Sequence, residues 1–376
     1  MGFFSSIGLG IIGPLLPAYV VSMGATLSFA GMIVGLLSIV ALVARPLASV
    51  LGDGLNKKWL YVATSMLSGV SLLLYVLAPT APWLLPVRVL HGIVFSVNGT
   101  IMFALGADFI PEGRLGEGVG YLGIGQIVGM ALGPNLGIYL AEQYSYQFSF
   151  IVSGLIFIAS GLALSVMLRY SYTPKPRIEG KRTFKLNDLI AIDLLPNAFF
   201  GALLAVASGV MMSYIVMHGE MQGIANVGLF FIANSAVLMV TRPYFGKLTD
   251  RKGVAFMVIP AFLLTAIGMV IVGVSRVLWP ILIAAVIMAL AGGGMPAIQA
   301  DCLKRVDATR TAVATSTYFV GIDIGICIGQ MLGGVIADSY GFPVTFVGAG
   351  GFMVFSCALY LLYLNREKRK KALVQG

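Results

Sequence analysis

The stretch that decides the fold is Thr241 to Gly253, T-R-P-Y-F-G-K-L-T-D-R-K-G, a cluster of charges and turn formers between two long apolar runs. Roughly 200 residues earlier the pattern recurs, because Ala44 to Asp53 reads A-R-P-L-A-S-V-L-G-D. In both copies an Arg-Pro pair precedes an aspartate by the same interval, Arg45 to Asp53 and Arg242 to Asp250. A repeat at this distance in a chain of 376 residues predicts two similar halves.

The composition excludes an ordinary soluble globule, because 59% of the residues are hydrophobic and only 10% are charged. The three cysteines lie in apolar runs, so we expect buried thiols and no disulfide framework. The sequence contains no nucleotide-binding G-x-x-x-x-G-K-[ST], no Cys/His metal cluster and no nucleophile-base pair. We therefore expect no enzyme activity, no cofactor and no metal. Any energy that the protein needs for its function must then come from an ion gradient or from the substrate itself.

Apolar runs of about 20 residues, the length that crosses a bilayer, recur along the whole chain. The predicted spans are 3–23, 27–51, 59–79, 83–108, 115–141, 146–168, 189–215, 223–247, 254–275, 278–303, 309–336 and 342–364. This pattern predicts an all-α membrane protein with twelve transmembrane helices. The halves are 1–168 and 189–376, the second ending in a short basic tail, and 169–188 is a cytoplasmic linker. The chain begins almost at the first span, which has no basic n-region and is predicted to be a helix, not a cleaved signal peptide.

The loops orient these helices. The linker and the tail are rich in Lys and Arg, whereas the loops at 24–26, 80–82, 142–145 and 218–222 carry none. Positive residues favour the cytoplasmic side, so both termini are expected in the cytoplasm. The same bias accounts for the net charge of +9 without nucleic acid binding.

The quoted stretch resembles the signature G-x-x-x-D-R-x-G-R-K of the major facilitator superfamily, which joins the second and third transmembrane helices. Gly246, Asp250, Arg251 and Gly253 match it in the second half, while the first half departs from it at Ser49, Gly54 and Asn56. The resemblance implies two pseudo-symmetric six-helix halves that alternate access to a site near the bilayer midplane.

A glycine stripe marks the fifth span, where Gly125 to Gly137 reads G-Q-I-V-G-M-A-L-G-P-N-L-G. Glycines at every fourth position make a flat face for close helix contact, and Pro134 bends the helix. The extended form resembles the signature of the drug:proton antiporter branch of the superfamily. Gly321, Gly325, Gly329 and Gly333 repeat the stripe in the eleventh span without the proline.

The resemblance implies a gating role for residues of the repeated loops and of the fifth-span stripe. These residues are Arg45, Asp53, Arg114, Arg242, Gly246, Asp250, Arg251, Gly125, Gly129, Gly133, Pro134 and Gly137. Two similar stretches follow the fourth and tenth spans. They are A-D-F-I-P-E-G-R, at 107–114, and A-D-C-L-K-R-V-D, at 300–307. Their residues Asp108, Arg114 and Asp301 are expected to make cytoplasmic charge contacts, with simple solubilising charge as the alternative.

Arg88 lies well inside the fourth span, where a charge is expensive and must face the bundle interior or water. The segment L-P-V-R-V-L-H-G, at 85–92, resembles the family motif L-x-x-R-x-x-Q-G with His91 in place of Gln. The resemblance implies proton coupling or substrate contact for Arg88. The alternative is a structural arginine bonded to neighbouring carbonyls. His91 is a candidate for titration near neutral pH, or a structural hydrogen-bonding group.

Asp323 lies about 14 residues, ~21 Å, into the eleventh span. Ser316, Asp323 and Gln330 form a polar stripe turned away from the glycines. A carboxyl at this depth should have a raised pKa and exchange a proton, unless it is simply buried as a neutral, hydrogen-bonded acid. Asp193, near the start of the seventh span, is a further candidate for proton coupling, with an interfacial role as the alternative.

Polar and aromatic residues on several spans are candidates for a substrate cavity, although core packing explains some of them equally well. These residues are Asn98, Gln126, Asn197, Phe200, Phe231, Asn234, Tyr318 and Gln330.

The functional hypothesis is a bacterial cytoplasmic-membrane antiporter, a monomer, that exports a drug, metabolite or metallophore in exchange for protons. One alternative is an uptake or facilitated-diffusion carrier for a sugar or another small nutrient. A second alternative is a transport-dead receptor or a lipid-moving protein.

Overall fold

The structure is a computed structural model, and it describes residues 2–109, 115–167, 191–306 and 311–375. Within these ranges the chain is helical and contains no β-strand, which confirms the predicted all-α class. The helices before the linker are α1 Gly2–Ser22, α2 Leu27–Gly54, α3 Lys57–Val76, α4 Leu84–Asp108, α5 Leu115–Gln143 and α6 Tyr146–Met167. The helices after it are α7 Leu195–Met221, α8 Leu229–Lys252, α9 Val254–Val274, α10 Leu278–Ala291, α11 Gly294–Lys304, α12 Thr311–Tyr340 and α13 Phe342–Gln375.

Each predicted span coincides with a helix, and the tenth span is divided between α10 and α11. Of the described residues, ten segments are long and apolar enough to cross a membrane. Helix α8 makes eleven if it is counted as one span bent by 52° between Arg242 and Tyr244. The residue between them is Pro243, and a proline bends a helix because it lacks the backbone N–H of one hydrogen bond. Helix α5, which is not among these segments, corresponds to the fifth predicted span.

The connection predicted between the eighth and ninth spans, at 248–253, is almost entirely helical. Residues Thr241 to Lys252 belong to α8, and only Gly253, at φ +84°, makes the turn into α9. In the first half α2 likewise continues to Gly54. Glycine ends α8 because it adopts a positive φ without steric cost.

The seventh and eighth predicted spans begin about six residues too early. A 3-10 turn, Ile192–Leu194, precedes α7. Residues 222–228 then form a turn with positive φ at Gly223 and Asn226. His218 and Glu220 still lie within α7, which ends at Met221 and not near residue 215.

The chain divides into two compact units. The first comprises residues 1–184 together with 212–217 and 330–338. In it α1 packs against α5 and α6, α3 packs against α4 and α6, and α2 packs against α4. Its main core includes Ile11, Leu16 and Phe150, all fully buried.

The second unit comprises residues 185–211, 218–329 and 339–376. Helix α9 packs against α10, α11 and α13, and α8 packs against α10. The break between α10 and α11 falls at Gly292 and Gly293. A Cβ at Gly293 would collide with the side chains of Met257 and Phe245, so this segment needs glycine to pass α8 and α9. The predicted linker 169–188 lies outside the described residues.

Candidate functional site

Arg88 is buried in the first unit and is fully engaged with neighbouring helices. Its Nε donates to the carbonyl oxygen of Ile33 at 3.1 Å, and its Nη2 donates to that of Val34 at 3.0 Å. Its Nη1 donates to the Tyr75 hydroxyl at 3.3 Å. These acceptors are neutral, so dipoles of α2 and α3 solvate the guanidinium. The geometry matches the structural alternative for Arg88, and its role in proton coupling stays a prediction.

His91 lies one turn further along α4 and is completely buried. Its Nδ1 is 3.2 Å from the Tyr75 hydroxyl, which therefore bridges the imidazole and the guanidinium of Arg88. Nε2 of His91 has no hydrogen-bond partner among the described residues. The Tyr75 backbone carbonyl accepts from the Tyr19 hydroxyl, which ties this cluster to α1.

Asn98 lies two turns beyond His91, where it joins α4 to α3. Its Nδ2 donates to the hydroxyls of Thr64, at 3.1 Å, and Ser65, at 2.8 Å. The amide of Asn98 is therefore engaged in the contact between α4 and α3. Gln126, on α5, is half-buried. Contact of either residue with substrate stays a prediction.

The glycines of α5 face α1 directly. A Cβ at Gly129, Gly133 or Gly137 would lie 2.6–2.7 Å from atoms of Phe3, Ser6, Ile7 or Ile11, too close for any side chain. Gly125 leaves slightly more room beside Phe3. Pro134 packs against Gly10 of α1. The predicted flat face for close helix contact is thus present, while its gating role stays a prediction.

The second stripe repeats this arrangement on α12. Gly321, Gly325 and Gly329 lie against the backbone carbonyls of Ala198, Ala202 and Val206 of α7. Both stripes therefore bring the first and fifth predicted spans of their half into backbone contact.

Asp323 lies between two of these glycines and projects from the opposite side of α12. It is 9% exposed and lies about 18 Å along the helix from Thr311. Gln330, two turns further, is also buried, and its backbone carbonyl accepts from the Tyr214 hydroxyl at 2.5 Å. The polar stripe of α12 is therefore deep and enclosed.

A cavity of about 360 Å³ lies in the second unit beside the start of α7, the junction of α8 with α9, the end of α11 and residues 360–364 in the middle of α13. We call it the span-end cavity, and it is lined chiefly by Asn197, Phe200, Asp301, Arg305, Tyr360 and Tyr363. Two of these, Asn197 and Phe200, were predicted as cavity residues. Oδ2 of Asp301 accepts from Asn197 Nδ2 and from Arg305 Nε, both at 2.7 Å.

Aromatic rings form one wall of the span-end cavity, with the Phe200 centroid 4.9 Å from Tyr360 and 5.2 Å from Tyr363. At the rim Lys304 pairs with Asp250, with Nζ 2.7 Å from Oδ1. Burial lowers the pKa of Arg305, but the Asp301 carboxylate and the Tyr363 hydroxyl raise it by more, so the net pKa lies above its ordinary value. Arg305 is therefore a permanent cation.

Three more of the predicted cavity residues, Phe231, Asn234 and Tyr318, lie elsewhere in the second unit. Asn234 Nδ2 donates to the carbonyl of Ala285 at 2.9 Å, and the Tyr318 hydroxyl donates to that of Met295 at 2.9 Å. Phe231 is half-buried in the first turn of α8. Asp193 is exposed in the 3-10 turn before α7 and is not on the α7 helix that carries Asn197.

The expected charge contacts are present where the structure describes them. Asp108 pairs with Lys57, the first residue of α3, at 2.9 Å. Asp301 pairs with Arg305, as given above. The side chain of Asp53 and all of Arg114 lie outside the described residues. Of the remaining gating candidates, Arg45 is half-buried, and the exposed ones are Arg242, Gly246 and Arg251.

Tyr75, Arg305, Tyr360 and Tyr363 were not predicted from the sequence. A sequence signal existed for the tyrosines, because a phenol in an apolar span needs a partner for its hydroxyl. No signal linked Arg305 to α13, since Tyr363 is distant from it in the chain. The predicted buried thiols are confirmed, because Cys302, Cys327 and Cys357 are all buried and none of them forms a disulfide.

Comparison with known proteins places this architecture in a family. The chain is 26% identical over 350 residues to an uncharacterized MFS-type transporter of Methanocaldococcus jannaschii, covering 90% of each chain. It is 23% identical over 387 residues to the multidrug resistance protein MdtG of Salmonella choleraesuis, covering 98% of this chain and 94% of that one. The crystal structure of the nucleoside transporter NupG is similar, with a TM-score of 0.76, 11% identity and 96% coverage of both chains.

The family model described as Major Facilitator Superfamily matches residues 1–226 and, a second time, residues 194–375. The two matches together reach from the first helix to the last, in keeping with the internal repeat. The chain belongs to the Major Facilitator Superfamily and is a multi-pass membrane transporter, not an enzyme.

Proposed function

We propose that this transporter exports a small organic molecule, a drug, metabolite or metallophore, in exchange for protons. The observation that carries the proposal is Asp323, a carboxyl group buried deep in a span-length helix. A charge at such depth costs on the order of 3 kcal/mol even on lenient scales. Proton binding removes that cost, so the carboxyl has two states of similar free energy. Differential binding of proton and substrate to two conformations then couples their movements.

The resemblance to MdtG supports the direction of transport, because that protein is named for multidrug resistance. The Gly-Pro stripe of α5 is a second support. The Lys and Arg distribution of the loops supports an orientation with both termini inside. The proposal places the exporter, as a monomer, in the bacterial cytoplasmic membrane.

A flux assay in proteoliposomes tests coupling. The purified protein is reconstituted, a pH gradient is imposed, and the accumulation of radiolabelled probes is followed, with ethidium, uridine and glucose as representatives of three chemical classes. An antiporter concentrates its probe above equilibrium only while the pH gradient lasts, and an uncoupler abolishes the accumulation. Equilibration that is indifferent to the gradient would instead indicate a facilitated-diffusion carrier.

The same vesicles decide between soluble and lipid substrates. A fluorescent phospholipid is placed in one leaflet, and its transfer is measured by dithionite quenching. We expect the transfer rate to equal that of protein-free vesicles. Lipid transfer without flux of any soluble probe would overturn the proposal.

A further inference from the structure

Helix α13 continues beyond the end of its apolar span. The span runs from Phe342 to Glu367, and the helix goes on to Gln375, which lies about 12 Å further along the axis. Residues 366–371 read R-E-K-R-K-K, five basic residues and one acidic residue, so this run has a net charge of +4. The preceding Lys or Arg in the chain is Arg310. All the positive charge of α13 therefore lies at one end of the helix.

An exposed stripe of side chains runs along α13 into this basic end. We call it the tail stripe, and its members are Phe355, Ala358, Leu362, Arg366 and Arg369, all of them exposed. Successive members are three or four residues apart, so they share one face of the helix. Along its length the stripe therefore changes from apolar side chains to two guanidinium groups.

The dimensions of the tail stripe match one leaflet of a bilayer. From Phe355 to Arg369 a helix rises about 21 Å. One leaflet, with its headgroups, is about 20–22 Å thick. The two arginines flank Glu367, where the apolar span ends. They are thus at the level of the lipid phosphates when the apolar part of the stripe lies among the acyl chains. A phospholipid has the same order of parts, an apolar chain followed by a phosphate.

The carboxylates at this end of the second unit do not face the tail stripe or are engaged elsewhere. Glu367 is half-buried and lies one turn after Tyr363, with which it interacts electrostatically. Asp250 and Asp301 each form an ion pair with a basic residue at the end of α11. The basic end of α13 therefore keeps its net positive charge, and such a charge beside a membrane attracts anionic lipids.

We propose that the tail stripe binds an anionic phospholipid, with an acyl chain along Phe355 to Leu362 and the headgroup phosphate held by Arg366 and Arg369. A guanidinium suits this role because it can donate two parallel hydrogen bonds to phosphate oxygens. A soluble anion would contact the arginines but not the apolar part of the stripe. The site is separate from Asp323, and it depends neither on the direction of transport nor on the side of the membrane.

Quenching of tryptophan fluorescence by brominated lipids tests the proposal in the full-length protein. The three native tryptophans, Trp59, Trp83 and Trp279, are exposed and are replaced by phenylalanine. A single tryptophan is then introduced at an exposed position of α13, either Leu361→Trp beside the tail stripe or Val344→Trp near the opposite end. Each protein is reconstituted in phosphatidylcholine vesicles with increasing fractions of brominated phosphatidylglycerol or brominated phosphatidylcholine.

The two positions should report different lipids. At Leu361→Trp phosphatidylglycerol should bind at least about fivefold more tightly than phosphatidylcholine, the factor that one basic residue near a membrane surface supplies. At Val344→Trp the two lipids should bind about equally, because the basic residues of α13 lie at its other end. Sodium chloride at about 1 M, where the Debye length is ~3 Å, should abolish the preference. Equal binding of the two lipids at both positions in low salt would overturn the proposal.

Three double variants of the Leu361→Trp protein test the role of the arginines. Arg366→Gln with Arg369→Gln should reduce the preference for phosphatidylglycerol to about twofold or less. Arg366→Lys with Arg369→Lys keeps the charge and should retain at least half of the preference. Lys368→Gln with Lys370→Gln removes the same charge at positions off the tail stripe and should reduce the preference less.

The comparison of the two glutamine variants is decisive. Equal reductions would show that the charge acts only through the surface potential and that the tail stripe is not the binding site. An unchanged preference in the arginine-to-glutamine variant, with a melting temperature like that of its parent, would equally overturn the proposal. Because the measurement reports lipid binding alone, its result is independent of whether proton antiport is found.

Discussion

Asp323 and Arg88 are both buried charges on helices that span the membrane, but only one of them can change its charge. A carboxylate becomes neutral when it binds a proton, whereas a guanidinium stays protonated at every physiological pH. Arg88 is also bonded to two carbonyls and a phenol. We therefore assign proton exchange to Asp323 and a positioning role to Arg88 in the hypotheses below.

Replacing Asp323 by asparagine should separate proton coupling from folding. Asn is nearly isosteric and permanently neutral, so Asp323→Asn should reach the membrane in normal amount. Accumulation driven by a pH gradient should fall at least tenfold, while exchange of labelled for unlabelled substrate should persist, because exchange needs no protonation cycle. Wild-type accumulation by this variant would make Asp323 structural and direct attention to His91 or Asp193.

Replacing Arg88 by lysine should destabilise the first unit although the charge is kept. A lysine ammonium cannot reproduce the planar fork that reaches Ile33, Val34 and Tyr75 together. Loss of one or two bonds to a buried charge predicts a fall in stability of about 2 kcal/mol, measured by thermal unfolding in detergent. Arg276→Lys is the matched control, since Arg276 is exposed and should tolerate the change. Equal melting temperatures of the two variants would contradict the positioning role.

At the level of helices, the paired glycine stripes explain how each half is held together. In a bilayer the lipid tails are as apolar as the helices, so helix association depends on close van der Waals contact. Because glycine has no side chain, the α5 backbone can approach α1, and the α12 backbone can approach α7. The absence of a proline from the α12 stripe leaves that contact intact.

Adding a single methyl group to either stripe should therefore be costly. At Gly133 the new Cβ would lie 2.6 Å from the Ile7 carbonyl oxygen and 2.9 Å from Gly10 Cα. Backbone atoms cannot move aside easily, so Gly133→Ala and Gly325→Ala should each lose about 1–3 kcal/mol in thermal unfolding.

Gly348→Ala on α13 is the control for both stripes, because no atom lies within 4 Å of a Cβ there. Its stability should be unchanged or raised by up to ~1 kcal/mol, since Ala favours helix over Gly. A stripe variant that matches this control would show that close backbone contact is not required.

For the molecule as a whole, the positive-inside pattern predicts which helix ends face the cytoplasm. The three native cysteines are buried, so the wild type should give little background with a membrane-impermeant maleimide. Single cysteines at exposed positions Thr80 and Gln143 should then label from outside intact cells. Cysteines at exposed Lys252 and Arg366 should label only after the membrane is permeabilised. Labelling of Thr80 and Arg366 from the same side would refute the proposed orientation.

Much of this architecture was accessible from the sequence, because its causes are local or periodic. Apolar runs of bilayer length predict helices, since unsatisfied backbone groups are prohibitively expensive in lipid. Glycines at every fourth residue predict a close-packed face before any partner is known. The repeat of Arg45 to Asp53 at Arg242 to Asp250 predicts the two halves. Helix ends were less accurate where turns depend on positive φ, as at Gly223 and Asn226.

What the sequence alone did not decide is which side chains meet. The sequence leaves Arg88 open between coupling and structure, and only the fold shows that carbonyls of α2, more than 50 positions earlier, lie at hydrogen-bond distance from it. Asn197 and Asp301 are separated by 104 positions and share one hydrogen bond in the span-end cavity. Periodicity gives the face of a helix on which a residue lies, but it carries no information about the helix opposite. Only the tertiary structure supplies that neighbour, and with it the difference between a buried charge that is bonded to the backbone and one that lines a cavity.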